Sequence, residues 1–137
     1  MGPREHLNAY LRAVKNKPFV WGQHDCLTFT NDAFTAMYGK GWADDWLNRY
    51  MVNERPMRRN ELMREFRCSN FNRAVDKRLQ RVGCVPPLGA LVTTKKARKW
   101  VTGSAMGICA GTKCAFLDKV GVIYLPLDDI DGAWINT

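Results

Sequence analysis

Histidine is scarce in this chain: His6 and His24 are the only two in 137 residues. The five cysteines, Cys26, Cys68, Cys84, Cys109 and Cys114, contain no C-x-x-C pair. Zinc sites draw on closely spaced cysteines and histidines, so neither a zinc module nor any other metal or cofactor is expected. The odd cysteine count and irregular spacing argue against a disulfide scaffold and fit a protein made in a reducing compartment, with most thiols serving as small core residues. No apolar run approaches the ~20 residues of a membrane-spanning helix. The opening Met-Gly-Pro-Arg-Glu-His lacks the apolar stretch of a secretory signal. The expectation is therefore exit from a cell by lysis or within a particle. Acidic residues are also few, 13 against 21 lysines and arginines, for a net charge of +8. A basic surface can meet nucleic acid, an anionic cell surface or an acidic protein, and charge alone does not choose among them.

The length suits one compact domain, residues 1–137. Leu7, Tyr10, Leu11 and Val14 recur at helical spacing, which predicts a helix over 3–16 that ends before Pro18. Asp25 is a good N-cap for a second helix. Apolar residues from Leu27 to Met37 cover much of that helix's circumference, so it is expected to be buried, with Gly39 as its C-cap. The middle, about 42–82, reads as helical and rich in arginine. Trp42, Trp46 and Tyr50 suggest a short helix or irregular segment. Leu62, Met63 and Phe66 share one helix, and Asn70 caps another carrying Phe71, Ala74, Val75, Leu79 and Val82. After Pro86-Pro87-Leu88-Gly89 the pattern turns to short strands: 90–93, 105–110, 114–117, 122–125 and a last one at 130–135 holding Trp134 against the core. Lys95, Lys96, Arg98, Lys99 and Trp100 read as a basic hairpin loop with an aromatic tip. N-terminal helices followed by a small antiparallel sheet make an α+β domain.

The run Phe19-Val-Trp-Gly-Gln-His-Asp-Cys26 carries the chemistry. A cysteine at a helix start faces free first-turn amides and the positive end of the helix dipole, which lower a thiol's pKa. The same amides can hold an oxyanion formed when a thiolate attacks a carbonyl. Cys26 would serve equally as a small apolar side chain packing the helix start, as most cysteines do.

This segment resembles the nucleophile motif of the NlpC-type cell-wall peptidases, which have a papain-like fold. Phe19, Trp21, Gly22, Asp25 and Cys26 match it residue by residue, while Leu27-Thr28 replaces the family's Ser-Gly. The chain is still more similar to small phage and prophage proteins related to NlpC. They share Trp21 to Cys26, the Gly107-Ile108-Cys109-x-Gly111 strand, Tyr124 to Leu127 and Ala133-Trp134, a likeness that is weak from about 42 to 85. Active NlpC enzymes carry a histidine base at the head of the Gly-Ile strand, where this chain has Ala105. The resemblance thus implies a papain-like single domain with Cys26 as the nucleophile position and its base replaced. His24, two residues before Cys26, is the candidate substitute base.

Three functions follow as expectations. The first is a bacteriophage tail protein, near the tail tip or baseplate, that keeps the fold as a structural or assembly module within the virion, with other tail proteins as partners. The alternative is an active peptidoglycan hydrolase or thiol amidase using Cys26 and His24. A nucleic-acid-binding module built on the arginine-rich middle ranks last, for want of a recognised motif.

Overall fold

The computed structural model describes residues 2–68, 70–83, 85–97 and 99–136. Cys84 and Arg98, named above, lie outside them. Helix α1 (Pro3–Ala13) opens on a proline, whose missing N–H costs nothing in a first turn, and buries Leu7 and Leu11. Helix α2 (Cys26–Tyr38) begins after Asp25 and stops at Gly39, whose φ of 86° is the left-handed turn that ends many helices. α2 packs against α1 on one side and against the sheet on the other, which is why its apolar residues run nearly all round. Tyr10 of α1 lies 5.8 Å from Phe29 of α2, ring centre to ring centre, and its hydroxyl donates to the Phe29 carbonyl.

The middle departs from a purely helical reading. A 3-10 turn at Asp44–Trp46 leads into a hairpin of β1 (Met51–Val52) and β2 (Arg55–Pro56). Its turn residues Asn53 and Glu54 both have positive φ, 50° and 65°. That twist suits a two-residue hairpin, but glutamate is not a residue that announces it. Helix α3 (Arg59–Phe66) follows, then α4 (Phe71–Asp76), capped by Asn70 as expected. The second of these predicted helices does not reach Leu79 and Val82. It ends at Asp76, and β3 (Gln80–Arg81) pairs with the last strand instead. The Val82 amide donates to the Ala133 carbonyl, so the backbone groups an extended helix would have used go to the sheet.

The remaining strands are β4 (Leu91–Thr94), β5 (Ala105–Cys109), β6 (Lys113–Asp118), β7 (Gly121–Pro126) and β8 (Ile130–Ile135). They join β3 in one antiparallel sheet of order β3-β8-β4-β5-β6-β7. Trp134 on β8 is fully buried, and its indole donates to Asp76, the last residue of α4. Both faces of the sheet are apolar. Leu91, Met106, Ile108, Ala115 and Leu117 face the helices, while Val92, Ala105, Cys109, Cys114, Phe116 and Ala133 form a second cluster on the other face. A glycine at 107 lets β5 and β6 close up: a Cβ there would stand 2.3 Å from the Ala115 carbonyl and 2.6 Å from the Phe116 ring. Gly121, with φ 144°, plays the same part where the β6–β7 turn meets Lys15 at the end of α1. The architecture is α+β, with helices first and an antiparallel sheet after them. No helix among the described residues is long and apolar enough to cross a membrane.

Candidate functional site

The start of α2 is built around the carboxylate of Asp25, which is wholly buried. One oxygen accepts from the Thr28 amide at 2.9 Å, and the other from the Gly22 amide at 2.7 Å and the Tyr50 hydroxyl at 2.5 Å. The Asp25 amide in turn donates to the Thr28 hydroxyl, completing a reciprocal cap. Asp25 therefore caps the helix, as the sequence suggests, and also ties three separate segments together. Burial and the neighbouring Asp25 charge push the Tyr50 hydroxyl far above its ordinary pKa, so it stays a donor. Nothing in the spacing of the sequence points to Tyr50 as the partner of Asp25, 25 positions away.

Cys26 follows immediately and is only 2% exposed. Its thiol is pushed up to about 12, first by burial and then by the charge of Asp25. Backbone hydrogen bonds from Met106, Cys26 and Leu27 act in the opposite direction and are outweighed. The sequence expectation of a lowered pKa is corrected here. A helix terminus contributes roughly 0.3–1 kcal/mol, less than one pKa unit, whereas full burial moves a group by up to about 3–5 units.

An aromatic cover closes the site. Trp100, 7% exposed, stands 5.3 Å from Tyr50, 6.2 Å from Phe71 and 6.3 Å from Trp21, and Trp21 in turn packs on Phe19. Trp100 is thus no exposed loop tip; it folds inward because these rings offer apolar contact that solvent does not. Its indole nitrogen is buried without a hydrogen-bond partner among the described residues.

His24 is buried against the edge of Phe29, with ring centres 6.1 Å apart. Its backbone forms a tight bridge with Val20, its Nε2 has no hydrogen-bond partner, and no hydrogen bond joins it to Cys26 among the described residues. Burial, then the positive charge of Lys17, hold its pKa below the ordinary value, against a smaller opposing pull from Asp25. The sign of the linkage follows. Below about pH 6.5 the unfolded chain takes up a proton that the folded state resists, so stability falls as pH drops through and below that value. Urea midpoints measured between about pH 7 and pH 5 should decline, and His24→Leu should flatten that decline. An equal slope in the variant would show that His24 is not its source.

Ala105, which the resemblance aligns with a histidine base, is buried in the cluster on the far face of the sheet, while its neighbour Met106 belongs to the cluster facing α2. The strand's two-residue alternation separates the two. No group of three or more metal-binding side chains occurs among the described residues.

The arginine-rich middle sorts into two sets. Arg49, Arg55, Arg78 and Arg81 form ion pairs with Glu65, Glu61, Asp45 and Asp76. Arg59, Arg64, Arg67 and Arg73 are exposed and in no ion pair among the described residues. Of these, Arg59 lines an apolar cleft of about 80 Å³ whose walls include Leu62, Met63, Phe66, Phe71 and Trp100.

Fold and site together define an α+β domain whose aspartate-capped central helix begins at a buried cysteine. The chain belongs to the family described as Domain of unknown function (DUF6950), whose model matches residues 3–135, from α1 through β8. Comparison with curated proteins finds no match.

Proposed function

We propose that this chain is a bacteriophage tail protein of the tail tip or baseplate. It keeps an NlpC-like, papain-like fold as a structural or assembly module of the virion, without efficient hydrolase activity. The observation that carries the proposal is the state of Cys26: a neutral thiol under an aromatic cover, with no imidazole bonded to it among the described residues. A positioned general acid–base contributes roughly two to four orders of magnitude in rate, and an amide leaving group also needs a proton. The resemblance of the Trp21–Cys26, Gly107–Gly111 and Tyr124–Leu127 segments to phage proteins supplies the setting. The cleft at α3 and α4 supplies a docking face: Met63, 39% exposed, and its apolar neighbours, with Arg59 in the wall and in no ion pair among the described residues. Such a face suits another tail protein that offers an apolar projection with an acidic rim.

Purified particles are expected to contain the chain. An Arg59→Glu form, charge-reversed in the cleft wall, should enter them at least about tenfold less well than wild type, since like charges across an interface are repulsive. Particles that lack the wild-type chain overturn the proposal.

A second reading, a peptidoglycan hydrolase or thiol amidase with Cys26 as nucleophile and His24 as base, is favoured by one feature. The backbone hydrogen bonds from Met106, Cys26 and Leu27 already act toward the thiolate. Release of peptidoglycan fragments by wild type and not by Cys26→Ser would support it. No release by the wild type, free or assembled, ends it.

A further inference from the structure

Cys109 is the last residue of β5 and Cys114 the second of β6, and they stand directly opposite each other in the ladder. The Ala110 amide donates to the Lys113 carbonyl at 2.9 Å, closing a two-residue turn at Gly111 and Thr112. The pair just inside that closing bond is of the non-hydrogen-bonded kind, in which Cα atoms approach to about 4.5 Å. A disulfide needs Cα atoms about 4.4–6.8 Å apart with side chains on the same face. Both cysteines belong to the same buried cluster, beside Val92, Phe116 and Ala133, and both thiols are free. The closeness of the two thiols favours loss of the Cys109 proton before that of Cys114. The Cys109 thiol donates to the carbonyls of Pro86 and Gly111 at 3.5 Å, at the turn end of the hairpin, so its proton must leave before it attacks.

We propose that Cys109 and Cys114 are a redox-active dithiol, the site of a reversible cross-strand disulfide that pins the β5–β6 hairpin. The oxidant is a small disulfide such as oxidised glutathione. The Cys109 thiolate attacks one sulfur of that disulfide, a mixed disulfide forms, and one small thiolate leaves. The Cys114 thiolate then attacks the Cys109 sulfur and expels the second. The two protons lost by the protein thiols end on the two small thiols, and the two electrons given up by the protein sulfurs reduce the small disulfide. Both sulfurs are fully buried, so exchange waits on opening of the short turn, where Thr112 and Lys113 are exposed. The site does not depend on the assembly reading of the protein.

The test starts from full-length reduced protein treated with oxidised glutathione. Remaining thiols are blocked, and the protein is digested without reductant for peptide mapping. A Cys109–Cys114 linked peptide is expected, with a loss of about 2 Da relative to the dithiol and a rise in the thermal midpoint of about 5 °C. Phenylarsine oxide, whose trivalent arsenic bridges two close thiols, should bind the reduced wild type in a one-to-one adduct. Cys114→Ala should lose at least about tenfold in affinity, because a single thiol cannot chelate. Mapping of the wild type decides the matter even if the variant fails to fold. The proposal is overturned if both sulfurs remain open to alkylation after oxidation, or if either is found joined to a different cysteine.

Discussion

At about pH 8, iodoacetamide should alkylate Cys26 in the folded protein about a thousandfold more slowly than in the unfolded chain. The reasoning rests on the thiolate, the form that reacts. An ordinary cysteine titrates near 8.5, whereas burial and the Asp25 carboxylate push Cys26 up to about 12. Each unit of difference removes a factor of ten in reactive thiolate, and the aromatic cover of Trp100 and Tyr50 slows approach further. Cys68 is only partly buried and serves as the internal reference. Timed alkylation with peptide mass mapping should label Cys68 well before Cys26. Native-state labelling of Cys26 as fast as Cys68 would mean that the cover opens readily, and would favour the hydrolase reading over the structural one.

The second large effect is on stability. Asp25→Ala should cost about 3–5 kcal/mol, a large part of the roughly 5–15 kcal/mol that holds a domain of this size together. The substitution strands the Gly22 and Thr28 amides and the Tyr50 hydroxyl in a place water does not reach. Each buried polar group left alone costs about 1–3 kcal/mol, and loss of a helix cap costs about 1. Asp25→Asn keeps the shape and one acceptor oxygen but turns an amide N–H₂ toward donors, so about 2 kcal/mol is expected. Tyr50→Phe removes a single bond and leaves the carboxylate its two amides, for about 1–2 kcal/mol. Denaturant unfolding of the three variants should give that order. An Asp25→Ala protein within about 1 kcal/mol of wild type would show that the carboxylate is not the tie described here.

Much of the fold is local enough to be legible in the sequence. The period of Leu7 and Leu11, the cap at Asp25, the glycine at 39 and the alternating strands from 91 onward are decided by residues close to one another along the chain. The hairpin at 51–56 was hidden because its left-handed turn uses Asn53 and Glu54 with no glycine. Strand β3 was hidden because two residues carry no pattern, and its partner lies more than fifty positions away. At the site, the helix start and its cysteine were readable, and their electrostatics were not. A dipole argument needs only the neighbouring turn, while desolvation depends on Tyr50, Trp100 and β5 arriving from elsewhere. The cysteine pair at 109 and 114 was readable after all. Two positions equidistant from a Gly-Thr turn must face each other across a two-residue hairpin.

The position of β8 in the sheet bears on how the chain folds. This strand follows every other element in sequence yet sits between β3 and β4, which have no common neighbour without it. Helices α1 and α2 and the run from β4 to β7 can assemble from near neighbours. Joining β3 to that run waits for residues 130–135, and Trp134 is the side chain that meets Asp76 when they arrive. Pairings over such sequence distances slow folding. During synthesis β3 would therefore stay unpaired until the last strand emerges, and that interval is when a chaperone or a waiting assembly partner would find its edge open.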